Sequence, residues 1–146
     1  MDKIIPVVVI KELADTEKTL SALREGGINT AEITFRTACA AEAISLGTSL
    51  FPDMNIGAGT VINGRHCLDA LNAGAKFIVS PGFSKEVAEI CSVNDVPYYP
   101  GCVTPTEIME ALEAGLTVLK FFPANVYGGL KALKALSGPF PQVKFI

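Results

Sequence analysis

Three short segments constrain the fold of this chain most: Glu25-Gly26-Gly27-Ile28, Asn72-Ala73-Gly74-Ala75 and Glu113-Ala114-Gly115-Leu116. Each closes a helical pattern and opens an apolar run. Glycine just past a helix end supplies a left-handed turn and lets the chain reverse into a strand. The apolar, strand-like runs fall near 4–10, 30–35, 55–61, 76–80, 97–102, 117–122 and 142–146. That spacing predicts a β-strand and α-helix pair every twenty to twenty-five residues or so.

The helices between these runs have readable starts. Asp15 or Thr16 is placed to cap a helix carrying Leu20 and Leu23, Asn63 to cap the next, and Ser84 one carrying Val87, Ala88 and Ile90. Thr104-Pro105-Thr106-Glu107 has a capping threonine, proline at the first helical position and glutamate three residues on, the pattern of a reciprocal cap. Continuous apolar strands alternating with helices imply a parallel sheet covered by helices. Seven in succession favour a (β/α)8 barrel over a doubly wound sheet, and no Gly-x-Gly-x-x-Gly follows the first strand. We expect one domain over residues 1–146. A full barrel has eight strands and roughly 200 residues or more, so the expected fold is a (β/α)8 barrel truncated in or just after its seventh strand, Gln142–Ile146.

Composition narrows the function classes. The net charge of −3, with charged residues at 18% and no basic cluster, argues against nucleic acid as a partner. No apolar stretch reaches membrane-spanning length, and Met1-Asp2-Lys3 does not begin like an export signal. The expected location is the cytoplasm, with Cys39, Cys67, Cys91 and Cys102 as reduced thiols. The single histidine, His66, makes a zinc site improbable on ligand count and reads as a solvated or capping side chain.

Lys120 is the residue that points to chemistry. It sits inside Leu116-Thr117-Val118-Leu119-Lys120-Phe121-Phe122-Pro123, otherwise the pattern of a buried strand. A lysine there must be paired with a carboxylate, reach the strand end, or occupy a pocket that favours its neutral form. A neutral amine attacks carbonyls. In barrels of this class the chemistry lies at the C-terminal ends of the strands, and polar residues collect there. Glu32, Thr34 and Arg36 are spaced to share one face of the second strand; Thr60 follows Gly57-Ala58-Gly59, whose small residues would let a ligand approach the backbone; Ser80-Pro81-Gly82 ends the fourth strand. Alternation predicts that Glu32, Arg36, Thr60 and Lys120 meet in one cluster. A structural ion pair between Glu32 and either Arg36 or Lys120 is the plainer reading.

At these residues the sequence resembles the 2-keto-3-deoxy-6-phosphogluconate (KDPG) and 2-keto-4-hydroxyglutarate (KHG) aldolases. The matching segments are Ala31–Thr37, Gly57–Val61, Ile78–Gly82, Lys120–Ala124 and Gly138–Pro141, in family order. The resemblance implies a metal-free, cofactor-free class I aldolase that releases pyruvate. Lys120 would form the Schiff base and Glu32 would be the general acid and base. Arg36 and Thr60 would hold the keto acid, with Pro81 and Phe122 shaping the pocket. It also implies a homotrimer acting on a small 2-keto acid, and phosphate-binding turns after the seventh and eighth strands that this sequence does not contain. Two other readings stand beside it: a phosphate-binding barrel isomerase or synthase in which Lys120 is only a cation, and an inactive chain with structural or oligomeric behaviour alone.

Overall fold

The computed structural model describes residues 4–146; Met1, Asp2 and Lys3, read above for an export signal, lie outside the described residues. Seven strands and six helices alternate among the described residues. The strands are β1 (Val7–Val8), β2 (Thr30–Thr34), β3 (Asn55–Gly59), β4 (Ile78–Ser80), β5 (Tyr98–Pro100), β6 (Val118–Leu119) and β7 (Lys144–Phe145). The helices are α1 (Asp15–Glu25), α2 (Ala40–Leu50), α3 (Gly64–Asn72), α4 (Lys85–Val93), α5 (Pro105–Glu113) and α6 (Gly129–Leu136).

Every strand pairing is parallel, and spatial order follows chain order: β1 to β5 in one ladder and β6 with β7 in another. A parallel bridge between Gly101 and Lys120 joins the two. Sequential order without a reversal point separates a barrel wall from a doubly wound sheet, so the chain has the (β/α)8 architecture expected, with seven strands described. Strands are shorter than the apolar runs that announced them, because several run ends bend out of the ladder into the loops carrying the site.

All five residues of β2 are buried, the pattern of a strand covered on both faces. One core packs Leu20, Ile33, Ile44, Met54, Ile56, Ile78 and Val87 between β1–β5 and helices α1–α4. A smaller one joins Cys102, Ile108, Ala111, Leu119 and Phe140 beneath β6 and α5. The four thiols are unpaired and three of them are buried.

The predicted caps hold at three helices. The Asn63 side chain accepts from His66 N at 2.8 Å, and that of Ser84 accepts from Val87 N at 3.4 Å. Thr104 and Glu107 form the reciprocal cap of α5, the Glu107 carboxylate accepting from Thr104 N at 2.8 Å and Val103 N at 2.9 Å. The cap of α1 is a correction. Ala14 occupies the N-cap position without a side-chain bond, and Asp15 and Thr16 lie inside the helix. Thr16 is fully buried, so its hydroxyl faces the core rather than the helix end. Asp15 instead places its charge in the first turn, where the helix dipole favours it.

At Glu107, partial burial works to raise the carboxyl's pKa, and the bonds from Val103, Thr104 N and the Thr104 hydroxyl outweigh it and leave it lowered. A lowered pKa stabilises the fold above the ordinary value of 4.5 and ceases to do so as pH falls through the folded-state value. Thr104→Ala is expected to cost about 1 kcal/mol of unfolding free energy at neutral pH. Glu107→Gln should destabilise at neutral pH and converge on the parent protein in acid. Urea unfolding at two pH values checks both.

Candidate active site

The ends of the strands carry the site. Lys120 directly follows β6, and its backbone is tied to β5 on both sides: its N–H donates to Pro100 O at 2.8 Å and its carbonyl accepts from Cys102 N at 2.9 Å. That double tie aims the side chain across the barrel end. Its Nζ lies 3.4 Å from Glu32 Oε1, with the two side chains 17% and 5% exposed. Glu32 is held within β2, in register with Val7 on one side and Gly57 on the other. An ammonium and a carboxylate 88 positions apart in sequence thus meet where little water reaches.

Two opposing influences act on Glu32. Burial pushes its carboxyl above the ordinary carboxylate range, and the nearby Lys120 and Arg36 charges pull it back without cancelling the rise. A carboxyl raised in this way is closer to neutrality, which suits a group that must both give and take a proton. The aromatic face of Phe122 lies 5.0 Å from Lys120 Nζ, within cation–π range, and its ring is partly open to solvent.

A second pair flanks the first. Arg36 Nε donates to Thr60 Oγ1 at 3.2 Å. Among the described residues its terminal Nη groups have no protein partner. Arg36 does not lie on β2 as the two-residue spacing suggested. The strand ends at Thr34, whose hydroxyl donates to Val8 O at 3.3 Å, and Arg36 stands exposed in the turn beyond. The turn is what lets it bend toward Thr60. Thr60 adopts φ 57°, a left-handed conformation that costs a β-branched residue on the order of 1–3 kcal/mol. Strain of that kind persists where the surroundings impose it, and here it presents the hydroxyl to the guanidinium.

Pro81 takes a different place from the cluster. It is exposed in the turn after β4, and its contact with the site runs through backbone. A side chain on Gly101 would lie 2.5 Å from Pro81 C, and Gly101 is the residue bridged to Lys120. Ser80 Oγ donates to Val61 O at 2.5 Å, and Tyr98 OH accepts from Ser84 N and donates to Gly82 O. These bonds hold the Pro81-Gly82 turn. Burial, opposed by its hydrogen bonds, pushes the Tyr98 hydroxyl to about 12, so it stays a neutral donor.

The glycines of β3 are a further correction. Their small size was read as room for a ligand, yet protein side chains fill it: the Phe77 ring occupies the space beside Gly57, and Glu32 the space beside Gly59. A groove of about 770 Å³ lies between α4 and α5 and is lined by Phe83, Lys85, Val93 and Glu110 among others. None of the six expected site residues lines it, and the convergent charges that mark a reactive site are at the strand ends instead.

Known proteins resemble this chain in sequence and in fold. The family profile of the KDPG and KHG aldolases matches residues 1–146. The KHG/KDPG aldolase of Escherichia coli K12 is 39% identical over 142 residues, 97% of this chain and 67% of the relative. The 2-dehydro-3-deoxy-phosphogluconate aldolase of Treponema pallidum is 43% identical over 144 residues, 99% of this chain and 69% of the relative. Among solved structures, a KDPG aldolase from Legionella pneumophila, crystallised with pyruvate captured at low pH as a covalent carbinolamine, superposes with a TM-score of 0.93 at 47% identity. It covers 97% of this chain and 68% of its own. The chain therefore spans about two thirds of the length of these relatives.

Proposed function

The chain belongs to the KDPG and KHG aldolase family, and from that premise we propose that its Lys120–Glu32 pair performs class I aldol cleavage of a 4-hydroxy-2-keto acid to pyruvate and an aldehyde. The observation that carries the reading is the 3.4 Å approach of Lys120 Nζ to Glu32 Oε1 at the strand ends. In this mechanism the neutral amine of Lys120 adds to the C2 carbonyl. Glu32 gives a proton to the carbinolamine hydroxyl, which leaves as water, so that a protonated imine stands beside the Glu32 carboxylate. Glu32 takes the proton from the C4 hydroxyl as the C3–C4 bond breaks. The bonding electrons flow into the imine, leaving an enamine, and the aldehyde departs. Glu32 returns the proton to C3, and water releases pyruvate and the free lysine. Phe122 covers one side of the nitrogen, and Pro81 lines the rim.

The substrates that fit are KDPG, giving glyceraldehyde 3-phosphate, and KHG, giving glyoxylate. Arg36 and Thr60 hold the keto-acid carboxylate: with Nε engaged by Thr60, the terminal Nη groups can take it. Arg36→Lys loses that fork. If one charge-assisted hydrogen bond worth about 1.5–3 kcal/mol goes, KM for the keto acid should rise roughly ten- to a hundredfold with a smaller change in kcat. An unchanged KM removes Arg36 from this role.

The deciding experiment is borohydride reduction with pyruvate, followed by peptide mapping, alongside a turnover assay on both substrates. Reductive alkylation requires an imine, so an isomerase or synthase in which Lys120 is only a cation would give no adduct. We also read the protein as a cytoplasmic homo-oligomer, a trimer by family likeness. The exposed Val126, Tyr127 and Leu130 support association between copies, and sedimentation as a monomer would end that part of the reading.

A further inference from the structure

We propose that Gly59 is a positioning residue for the reaction: the space left by its missing side chain is the seat that holds the Glu32 carboxylate against Lys120. The proposal rests on the reading of Lys120 and Glu32 as the reacting pair. A methyl group on Gly59 would lie 2.5 Å from Glu32 Cγ and 2.6 Å from Cδ, and closer still to Oε1. Oε1 is the oxygen that faces Lys120 Nζ.

Register explains the geometry. Glu32 stands opposite Gly57, and Gly59 stands opposite Thr34. Residues opposite one another in a parallel pair share a face, so Glu32 has both glycines beside it. The space at Gly57 is taken by the Phe77 ring. Glu32 is thereby turned along its strand, toward the C-terminal end and over Gly59. The backbone gives no other reason for glycine at this position. Gly59 is not among the residues with positive φ, and it sits in regular ladder, its carbonyl accepting from Phe35 N at 2.7 Å. Any L-residue could adopt that conformation; the Glu32 carboxylate is what a side chain would displace.

Two cycles of substitutions test this. In thermal unfolding, Gly59→Ala should destabilise the native background and cost much less when Glu32→Ala is already present, since the three atoms nearest the methyl are then gone. An equal cost in both backgrounds overturns the proposal, and this readout does not depend on catalysis. If Gly59→Ala alone does not fold, the double variant should; failure of both places the clash elsewhere and overturns it too.

In turnover, Gly59→Ala should lower kcat by about ten- to a hundredfold, the scale of a misplaced proton carrier, with KM and pyruvate trapping at Lys120 little changed. Glu32→Asp should also lower kcat, because the shorter side chain draws the carboxylate back. In the Gly59→Ala background, however, that same shortening takes Cδ and Oε1 out of the crowded space and leaves only the contact at Cγ, which a change of side-chain rotamer relieves. The double variant should be at least about tenfold more active than the two single effects multiplied together. Multiplicative losses would show that Gly59 does not act through Glu32. Absence of any imine in the unsubstituted protein would instead sink the aldolase reading, and the stability cycle would still decide the seat.

Discussion

Lys120→Met is expected to eliminate the borohydride-dependent pyruvate adduct and to lower turnover by about four orders of magnitude or more, as loss of a covalent nucleophile does. Methionine keeps the apolar stem and removes only the amine. The backbone ties of Lys120 to Pro100 and Cys102 use no side-chain atoms and should survive. What the variant loses in stability comes from Glu32. Its carboxyl is already raised by burial, and the Lys120 charge is the largest influence holding that rise in check. Without that charge the raised value climbs further, so the penalty grows as pH rises above the ordinary 4.5. The variant should therefore lose more stability relative to the parent at neutral pH than in acid. Peptide mapping decides the chemistry. An adduct retained in Lys120→Met, or labelling of the parent spread evenly over the exposed Lys85, Lys131 and Lys134, would mean that no activated lysine exists at the end of β6.

How much of this was legible in the chain depends on how local the signal is. The caps at Asn63, Ser84 and Thr104 are decided within four residues, and they form as read. The cap of α1 turned on whether Thr16 faces the helix end or the core, which only the packing of α1 against the sheet determines. Helix α2 carries no side-chain cap at all, so its start had no polar mark to find. Lys120 and Glu32 were identifiable because a charge inside an apolar strand is costly unless met, and a parallel barrel brings strand ends together. Arg36 was placed on the right side of the molecule by the wrong route, since alternation stops at Thr34 and a turn completes the approach. Gly57 and Gly59 show the limit most sharply. A glycine in a strand says that something comes close; whether that is a ligand, a phenyl ring or the Glu32 carboxylate depends on register with β2 and β4, and no window of sequence contains it.

Glu32→Gln should separate the two halves of the proposed reaction. The amide keeps the volume of the carboxylate in its place beside Gly59 but carries no proton to exchange. Loss of a positioned general acid and base lowers rates by about 10²–10⁴-fold, so kcat should fall in that range while pyruvate is still trapped at Lys120, given longer incubation. The same substitution has a signed effect on stability. In the parent, the Glu32 pKa is higher in the folded than in the unfolded chain, with burial the leading cause. As pH rises past the ordinary 4.5, the unfolded chain ionises first and the parent loses stability until the folded-state value is passed. Glutamine does not titrate. Its stability relative to the parent should therefore rise with pH across that window and level off above it. Chemical unfolding from acid to neutral pH measures this, and single-turnover kinetics measures the first part. A variant that turns over at the parent rate removes Glu32 from proton transfer. One whose relative stability falls with pH would show that the Lys120 ion pair outweighs burial, and that the carboxylate is held for its charge rather than poised to give it up.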